Sequence, residues 1–497
     1  MRAYEELAAR FSRIGTLGEA LSVLHWDMAT MMPPGGAASR GRQIATLRGM
    51  IHELLVADEN KVLFEESGHG ETLGQWERAN LEEMRRTWLH ATSLPARLVE
   101  EMSLRGSECE VVWRQARREN DFKTLIPYLE TVLKLSREAA AIKAEAFGTS
   151  PYDALLDQYE PGGKSEKIDA VFDDLVQFLP GFLEEVLEKQ ARKPDPLKLQ
   201  GPFPLDTQKK VALELMTALG FDFQHGRLDT SHHPFCGGYP DDLRLTTFYD
   251  ENNFLKAMMG VLHETGHALY EQGLPAQWKN SEVGCARGMS IHESQSLFVE
   301  MQISRSLSFA KWAAPLYKRA FHGQGPAWEP ENLYRVSSRV ERSLIRVDAD
   351  EVTYPAHVIL RYRLEKAMIN GELEIVDLPE AWTAGMEELV GIRPQDDRDG
   401  CMQDIHWMDG TFGYFPTYTL GAMTAAQLAA AQREDLGDLN TLIEAGDFGP
   451  IIGWLQEKIH SRGSLLPTKE LLLEATGSDL DARYFKDHLR RRYLEEV

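Results

Sequence analysis

The five residues from His263 to His267, His-Glu-Thr-Gly-His, constrain this chain more than any other stretch. Apolar positions around them, with Gly273 and Pro275 beyond, predict a helix that ends near Gly273. Because residues four apart share one face of a helix, the imidazoles of His263 and His267 point toward the same place. Two such imidazoles are typical of an open zinc site, and the carboxylate of Glu264 beside them is suited to act as a general base toward water.

A second predicted helix, downstream of the first, supplies candidates for a third ligand. Glu293 follows His267 by 26 residues, which is enough for one loop and the entry into a helix that packs against the first. A His-His-Glu set with one open position is the arrangement of a hydrolytic zinc site. His292 and Glu300 are competing candidates, and Glu300 is equally compatible with a solvated carboxylate or one that supports a ligand. We predict Glu293 as the ligand.

Length and charge exclude several classes of protein. The chain has 497 residues, of which 43% are hydrophobic, so it can hold two or three average domains or one large helical body. A formal net charge of −23 argues against nucleic acid as a partner, because phosphate binding needs a basic face. No run approaches the length of about 18 apolar residues that crosses a membrane, so we expect no membrane partner.

The cellular compartment is predicted from the N-terminus and the cysteines. The first residues show no basic segment followed by an apolar one, so no signal peptide is expected. The four cysteines are far apart and lack paired spacing: Cys109, Cys236, Cys285 and Cys401. They predict free thiols of a reducing compartment, and we therefore expect a cytoplasmic protein.

Apolar residues recur with the helical period through most of the chain, which predicts a mainly α fold. One strand is predicted at 242–249, just ahead of the motif helix and after a glycine turn at 236–238. Such a strand either accepts an extended peptide by strand addition or forms a structural hairpin, and the pattern does not distinguish the two. We also predict that Ser165 caps a helix, that Pro180-Gly181 breaks or kinks it, and that the region 392–422 is rich in loops.

Two further segments carry polar groups that could complete a site. The loop 400–407 concentrates polar residues and is followed by Tyr414 and Tyr418, either of which could supply a phenolic donor. The segment 345–350 places Arg346 between apolar residues in what the pattern predicts as a helix, where unpaired charge is costly. Arg346 either closes a structural ion pair or binds a substrate carboxylate, and the residues alone favour the ion pair.

These segments together resemble the carboxypeptidase Taq family of metallocarboxypeptidases. The signature segments occur in order as His233-Pro234-Phe235, Asp242-x-Arg244-x-Thr246, His263-Glu264-x-x-His267, His292-Glu293-Ser294-x-Ser296, Ile345-Arg346-x-x-Ala349-Asp350 and Gly400-x-x-Gln403-Asp404-x-His406-Trp407. Two N-terminal segments, Trp26-Asp27 and Tyr152 to Gly162, also resemble this family. The resemblance therefore covers nearly the whole chain.

The resemblance implies a fold and an oligomeric state. The fold would be a large helical, saddle-like body with a deep active-site groove and a small β-sheet beside the H-E-x-x-H helix, similar to neurolysin and angiotensin-converting enzyme. Residues 1–497 would form one peptidase domain, with an N-terminal helical lid in about 1–200 and the metal-site region in about 201–497. Members of the family are usually homodimers.

The resemblance also implies an activity and roles for side chains. The family removes single C-terminal residues from peptides with broad specificity. One divalent ion per chain is expected, with zinc preferred over cobalt or manganese, and its ligands would be His263, His267 and Glu293. The remaining roles are Glu264 as general base, His406 and Tyr414 (or Tyr418) at the oxyanion, Arg346 for the peptide's terminal carboxylate, and Arg244, His233 and Gln403 as further substrate-binding groups.

Two alternatives to this activity stay open. An oligoendopeptidase shares the H-E-x-x-H and distant-Glu arrangement but does not need a free C-terminus. A helical scaffold that keeps the metal only for stability would cut no peptide. The intact Glu264 argues against the scaffold, because a structural site has no use for a base beside its ligand.

Overall fold

The computed structural model describes residues 2–67 and 73–495, and most of them are helical, as the periodicity predicts. The first half of the chain contains α1 (Arg2–Thr30), α2 (Ala37–Leu55), α3 (Asp58–Ser67), α4 (Gln75–Thr92), α5 (Ala96–Glu119), α6 (Phe122–Phe147), α7 (Pro151–Leu156), α8 (Ser165–Ala191) and α9 (Leu205–Ala218). The second half contains α10 (Phe254–Gln272), α11 (Met289–Leu297), α12 (Leu307–Phe321), α13 (Pro330–Ser337), α14 (Tyr354–Asn370), α15 (Leu378–Leu389), α16 (Pro416–Leu436), α17 (Leu439–Ala445), α18 (Gly449–Lys458), α19 (Thr468–Thr476) and α20 (Ala482–Arg490). Short π-helical segments follow α11 and α20, at Phe298–Ser304 and Arg491–Glu495.

A small sheet separates α9 from α10. Its strands are β1 (Gly226–Thr230), β2 (Phe235–Tyr239) and β3 (Asp242–Thr247), in the order β1-β3-β2. The prediction of β3 is confirmed, whereas the glycine turn predicted at 236–238 is wrong because those residues lie in β2. Glycines have weak strand propensity, so neither β2 nor the short β1 gives a clear pattern. Gly238 is required where it stands, because its φ is +114° and a Cβ would collide with the carbonyl oxygen of Asp242.

Strand β3 is the central strand, and its neighbours occupy both of its edges. It pairs in parallel with β1 over 243–247 and antiparallel with β2 over 242–246. No backbone edge of β3 remains for an incoming peptide. The expectation that this strand accepts a substrate by strand addition is therefore wrong, and the strand instead has the structural role that the pattern left open.

The hydrophobic core positions the motif helix. α10 packs against β2, β3 and α11, and α11 packs in turn against α16. The main core draws on residues from Cys109 to Tyr493, while the first helices enclose a smaller core between Ala3 and Met84. The division into a lid and a metal-site region, the saddle-like outline and the deep groove all stay predictions.

Three local predictions about helices are corrected by the structure. Ser165 is the first residue of α8 rather than its cap, and its backbone N–H donates to Asp153 Oδ1 at 2.8 Å. α8 continues unbroken past Pro180, because its apolar face is buried along its whole length; the predicted break is therefore wrong, and the alternative of a kink stays a prediction. The loop predicted for 392–422 ends earlier, at α16, which begins with Pro416 in the first-turn position that suits proline.

The segment 345–350 is not helical, in contrast to the prediction. It contains a single 3₁₀ turn, Arg346–Asp348, between α13 and α14. The carboxylate of Asp350 accepts the backbone N–H groups of Glu341, Val352 and Thr353, and these bonds compete with a helix through this segment.

Two global expectations can be compared with the described residues. The four cysteines are free, as predicted. None of the helices described here is long and apolar enough to span a membrane.

Candidate active site

Helix α10 carries both motif histidines and the glutamate between them. The side chain of Asn253 accepts the N–H of Lys256 and caps the helix, which ends at Gly273 as predicted. The ring centroids of His263 and His267 lie 5.1 Å apart. At Gly266 a Cβ would collide with the backbone of Gln295 and Ser296 in α11. The glycine inside the motif therefore allows α11 to approach α10 closely enough to contribute its own side chains.

Glu293 of α11 meets the two histidines, as the spacing predicts. Its Oε2 lies 3.3 Å from His267 Nε2 and 4.0 Å from His263 Nε2. Donor atoms of the three residues all lie within 4.8 Å of one another, and within residues 2–67 and 73–495 they are the one group of this kind. Two imidazole nitrogens and a carboxylate oxygen are the donor set of an open zinc-type site. The residues present therefore fit a divalent metal ion.

Glu300 supports His263 from behind. Its Oε2 lies 2.8 Å from His263 Nδ1, and its Oε1 accepts from Arg305 Nη2 at 2.8 Å. Because a carboxylate only accepts, the His263 proton belongs on Nδ1, and Nε2 is left with a free lone pair that faces Glu293. The geometry thus favours the supporting role that was open for Glu300 over the role of ligand.

His292 supports His267 in the same way, through one more residue. His292 Nδ1 lies 2.7 Å from His267 Nδ1, and His292 Nε2 lies 2.8 Å from Glu271 Oε1. The Glu271 carboxylate accepts a hydrogen bond from the Nε2–H group of His292, so Nδ1 of a neutral His292 is an acceptor. His267 must then carry its proton on Nδ1, which leaves Nε2 bare toward Glu293. His292 therefore contacts the ligand candidate His267 and is not itself one of the three donor residues.

The charges around the histidines favour a cation and a proton acceptor. Burial lowers the pKa of His263, but the carboxylates of Glu293 and Glu300 outweigh it and raise that pKa to about 10. A divalent ion would satisfy the same preference for positive charge. Burial, reinforced by Glu293, raises the pKa of Glu264 to about 7, which suits a group that takes and returns a proton near neutrality.

A second buried cluster is formed by α14 and by the loops that precede α14 and α16. Arg346 directs Nε and Nη2 to Asp404 Oδ1, at 3.2 and 2.8 Å, and Arg361 Nε lies 2.6 Å from Asp404 Oδ2. Gln403 Oε1 accepts from the backbone N–H of Arg346 and from Arg361 Nη2. Two guanidinium groups thus share one carboxylate, and the cluster carries a net positive charge.

His406, Tyr414 and Tyr418 lie beside this cluster. The Tyr418 ring stacks on the Arg346 guanidinium at 4.9 Å, and its hydroxyl lies 3.4 Å from His406 Nε2. The His406 and Tyr414 rings are 5.7 Å apart. Burial lowers the pKa of His406 to about 4, so this imidazole is neutral at neutral pH. Tyr354, which no sequence motif marks, also lies near Glu293: burial, followed by the Glu293 carboxylate, raises the pKa of its hydroxyl.

Arg244 and His233 belong to the sheet side of α10. The Arg244 guanidinium stacks on Trp26 at 4.4 Å and pairs with Asp242 at 2.8 Å, while Arg227 stacks on the same indole at 4.9 Å. The His233 side chain is exposed. The structure thus joins Arg244 to helix α1, and it gathers Arg346, His406 and the tyrosines in a different group.

Known carboxypeptidases match this chain over nearly its whole length. The family model of carboxypeptidase Taq (M32) metallopeptidases matches residues 6–493. Thermostable carboxypeptidase 1 of Thermus thermophilus is 38% identical over 99% of this chain and 98% of its own, and carboxypeptidase 1 of Bacillus subtilis is 35% identical over 97% and 96%.

Solved structures of carboxypeptidases also superpose on nearly the whole chain. Metallocarboxypeptidase 1 of Trypanosoma cruzi superposes with a TM-score of 0.98 at 41% identity, covering 99% of this chain and 100% of that one. The M32 carboxypeptidase of Deinococcus radiodurans R1 gives 0.95 at 33% identity, covering 100% and 99%. The chain therefore belongs to the carboxypeptidase Taq (M32) metallopeptidase family and is a peptide hydrolase of the metallocarboxypeptidase type.

Proposed function

We propose that this protein removes single residues from the C-terminus of peptides, with broad specificity, using one zinc ion bound by His263, His267 and Glu293. The donor set supports the metal site, and the net positive charge at Arg346 supports cleavage from a free C-terminus. That uncompensated charge is the observation that carries the proposal, because an enzyme that cuts internally has no use for a buried cation at the end of its substrate.

Zinc is preferred because two imidazoles and one carboxylate suit it, although cobalt and manganese accept the same donors. When bound, the ion would supply Lewis-acid chemistry, which acidifies water and polarises the scissile carbonyl.

Glu300 and the His292–Glu271 pair hold the ligand protons on Nδ1 and so keep both Nε2 atoms available. Outer partners of this kind are worth about ten- to a hundredfold in metal affinity.

Glu264 is the general base in this mechanism. It follows the ligand His263 directly on α10, and its carboxyl is buried with a pKa of about 7. It accepts the proton of the attacking water and delivers a proton to the leaving amine. A carboxyl with that pKa can do both near neutral pH.

Arg346 binds the terminal carboxylate of the peptide. Asp404 neutralises one of the two guanidinium groups in the cluster, so a second carboxylate restores balance. Gln403 uses its side-chain oxygen for two donors and its nitrogen for the backbone oxygens of Leu344 and Asp399. We therefore expect Gln403 to support Arg346 rather than to contact the peptide.

His406 and Tyr414 stabilise the oxyanion that develops on the scissile carbonyl, with Tyr418 and Tyr354 as neighbouring donors. A neutral imidazole and a phenol both donate hydrogen bonds without a change of charge, and donors that are already in place are the usual basis of such stabilisation. The raised pKa of Tyr414, which follows from burial and nearby Tyr418 and Glu293, keeps its proton on the hydroxyl.

Arg244 and His233 contact the substrate from the sheet, and helices within residues 1–200 act as a lid. The stack of Arg244 on Trp26 supports this idea, since it links α1 to the strand beside the motif helix. We also expect the protein to be cytoplasmic and to form a homodimer. Sedimentation of the purified protein would test the dimer.

A mass-spectrometric time course on one peptide, as free acid and as C-terminal amide, tests the proposal. We expect rapid, successive loss of single residues from the free acid, only slow loss from the amide, and abolition of both by a chelator. Internal cleavage of both peptides would indicate the oligoendopeptidase. No cleavage after addition of zinc or cobalt would indicate the scaffold.

A further inference from the structure

Glu365 is a fully buried carboxyl that the proposed mechanism does not use. It lies on α14 and accepts three hydrogen bonds. Tyr152 Oη donates to Oε1 at 2.6 Å, Trp407 Nε1 donates to Oε2 at 3.1 Å, and the backbone N–H of Gly413 donates to Oε1 at 3.3 Å. The three donors come from α7 and from both ends of one short loop.

That loop carries two residues of the proposed site. His406 immediately precedes Trp407, and Tyr414 immediately follows Gly413. The loop must turn tightly between them, and Gly413 has a φ of +90°. A Cβ at Gly413 would lie 2.8 Å from the backbone nitrogen of Leu156 in α7, so the loop is seated directly on that helix. Glu365 therefore joins the two ends of the loop to each other and to α7.

The burial of Glu365 is costly in itself. Burial raises its pKa to about 8, although the three hydrogen bonds act in the opposite direction. In the described part of the chain, no lysine or arginine forms an ion pair with it. An apolar side chain of similar size would avoid the desolvation of an unpaired carboxyl. A specific geometric role would explain why a carboxyl stands here.

We propose that Glu365 is a positioning residue, which holds His406 and Tyr414 side by side by accepting hydrogen bonds from Trp407 and Gly413. The proposal rests on the oxyanion role proposed above for His406 and Tyr414. It adds that their relative position is set from α14, through a residue that touches neither the peptide nor the metal.

Two substitutions test this role without a large change of volume. In Glu365→Gln the amide has a single oxygen to face three donors, so the loop loses at least one hydrogen bond. Tyr152→Phe removes only the α7 partner. We expect kcat to fall by about ten- to a hundredfold in Glu365→Gln, since a misplacement of about 1 Å costs up to that much, and by less in Tyr152→Phe. KM for the free-acid peptide and the zinc dissociation constant should stay within about twofold of wild type.

Tyr362→Phe is the matched control. Tyr362 is also buried on α14, and its hydroxyl donates to Asp169, away from the loop. Its ring packs edge-on against Tyr152 at 5.7 Å. A loss of packing or stability alone should affect Tyr362→Phe and Tyr152→Phe equally, so an unchanged kcat in Tyr362→Phe beside a reduced kcat in Tyr152→Phe supports the proposal. Equal values in the two variants would overturn it.

A double-mutant cycle then links Glu365 to the residues that it positions. If Glu365 acts through His406 and Tyr414, Glu365→Gln should lower kcat by less than about threefold in a His406→Gln, Tyr414→Phe background. Multiplicative losses would overturn the positioning role while leaving the proposed function intact. Full activity of His406→Gln and Tyr414→Phe would instead overturn their oxyanion role, and this inference with it. If Glu365→Gln does not fold, Tyr152→Phe takes its place in the same cycle.

Discussion

Replacement of Arg346 by alanine should impair cleavage of free-acid peptides and spare C-terminal amides. In the folded protein Arg346 and Arg361 share Asp404, and each guanidinium lies within 2.8 Å of that carboxylate. Removal of Arg346 leaves one guanidinium and one carboxylate, which balance. The variant should therefore fold, but it no longer presents excess positive charge to the terminal carboxylate.

The size of the effect follows from the contacts of Arg346. Its Nε and Nη2 are directed to Asp404, which leaves Nη1 outside that pair. One charge-assisted hydrogen bond contributes about 1.5–3 kcal/mol. We therefore expect kcat/KM for a free-acid peptide to fall by about ten- to 150-fold, mainly through KM, because each 1.4 kcal/mol is about a factor of ten.

The assay compares initial rates on one peptide as free acid and as amide, for wild type, Arg346→Ala and Arg363→Ala. Arg363 lies on α14, more than a third exposed, and pairs with Asp173 and Glu388, so its removal controls for the loss of an arginine. Turnover of the amide should change by less than about threefold in Arg346→Ala, since that peptide has no terminal charge to lose. An equal loss on both peptides would refute the role of Arg346 at the carboxylate.

Three further predictions address the base, the ligand support and the buried charges. Glu264→Gln should bind zinc with unchanged stoichiometry but lose at least about a thousandfold in kcat, because the amide cannot accept a proton. Turnover near the wild-type value with metal bound would exclude Glu264 as the base. His292→Phe should weaken zinc binding about ten- to a hundredfold in a chelator competition, because His267 loses the acceptor that fixes its proton. Glu251 is an exposed carboxylate just before α10, and Glu251→Gln should leave zinc binding unchanged. Burial, reinforced by Arg361, lowers the pKa of His357 to about 3, so its contribution to stability is complete above its ordinary pKa of 6.5 and is lost as the pH falls. His357 should thus lower the free energy of unfolding by about 3 kcal/mol between about pH 6.5 and pH 4. If the free energy of unfolding of a His357→Gln variant depends on pH as steeply as that of wild type, this prediction is contradicted.

The sequence predicts the grouping of His263, His267 and Glu293 because the geometry of that group is mostly local. His263 and His267 lie on one helical face whatever the rest of the chain does, and Gly273 ends the helix where the pattern predicts. Glu293 is a longer step, but a loop followed by an antiparallel helix leaves few alternatives. The mainly α fold follows from periodicity alone, and the family assignment from six segments in a fixed order.

The remaining features depend on contacts between distant parts of the chain. Glu365 meets Tyr152 across 213 positions, and no local pattern predicts that the two side chains are in contact. The segment around Arg346 is held out of a helix by bonds to Asp350, which periodicity cannot detect. The supporting role of His292 follows only from its distance to His267, since a histidine beside Glu293 in the sequence is an equally plausible ligand.

The most direct test of this account is an anomalous difference map from crystals soaked with zinc and a product amino acid. We expect one strong peak per chain, about 2.0–2.2 Å from His263 Nε2, His267 Nε2 and a Glu293 carboxylate oxygen, with the product's carboxylate on Arg346. A peak bound by His292 or Glu300, or a product whose carboxylate lies away from Arg346, would contradict the account.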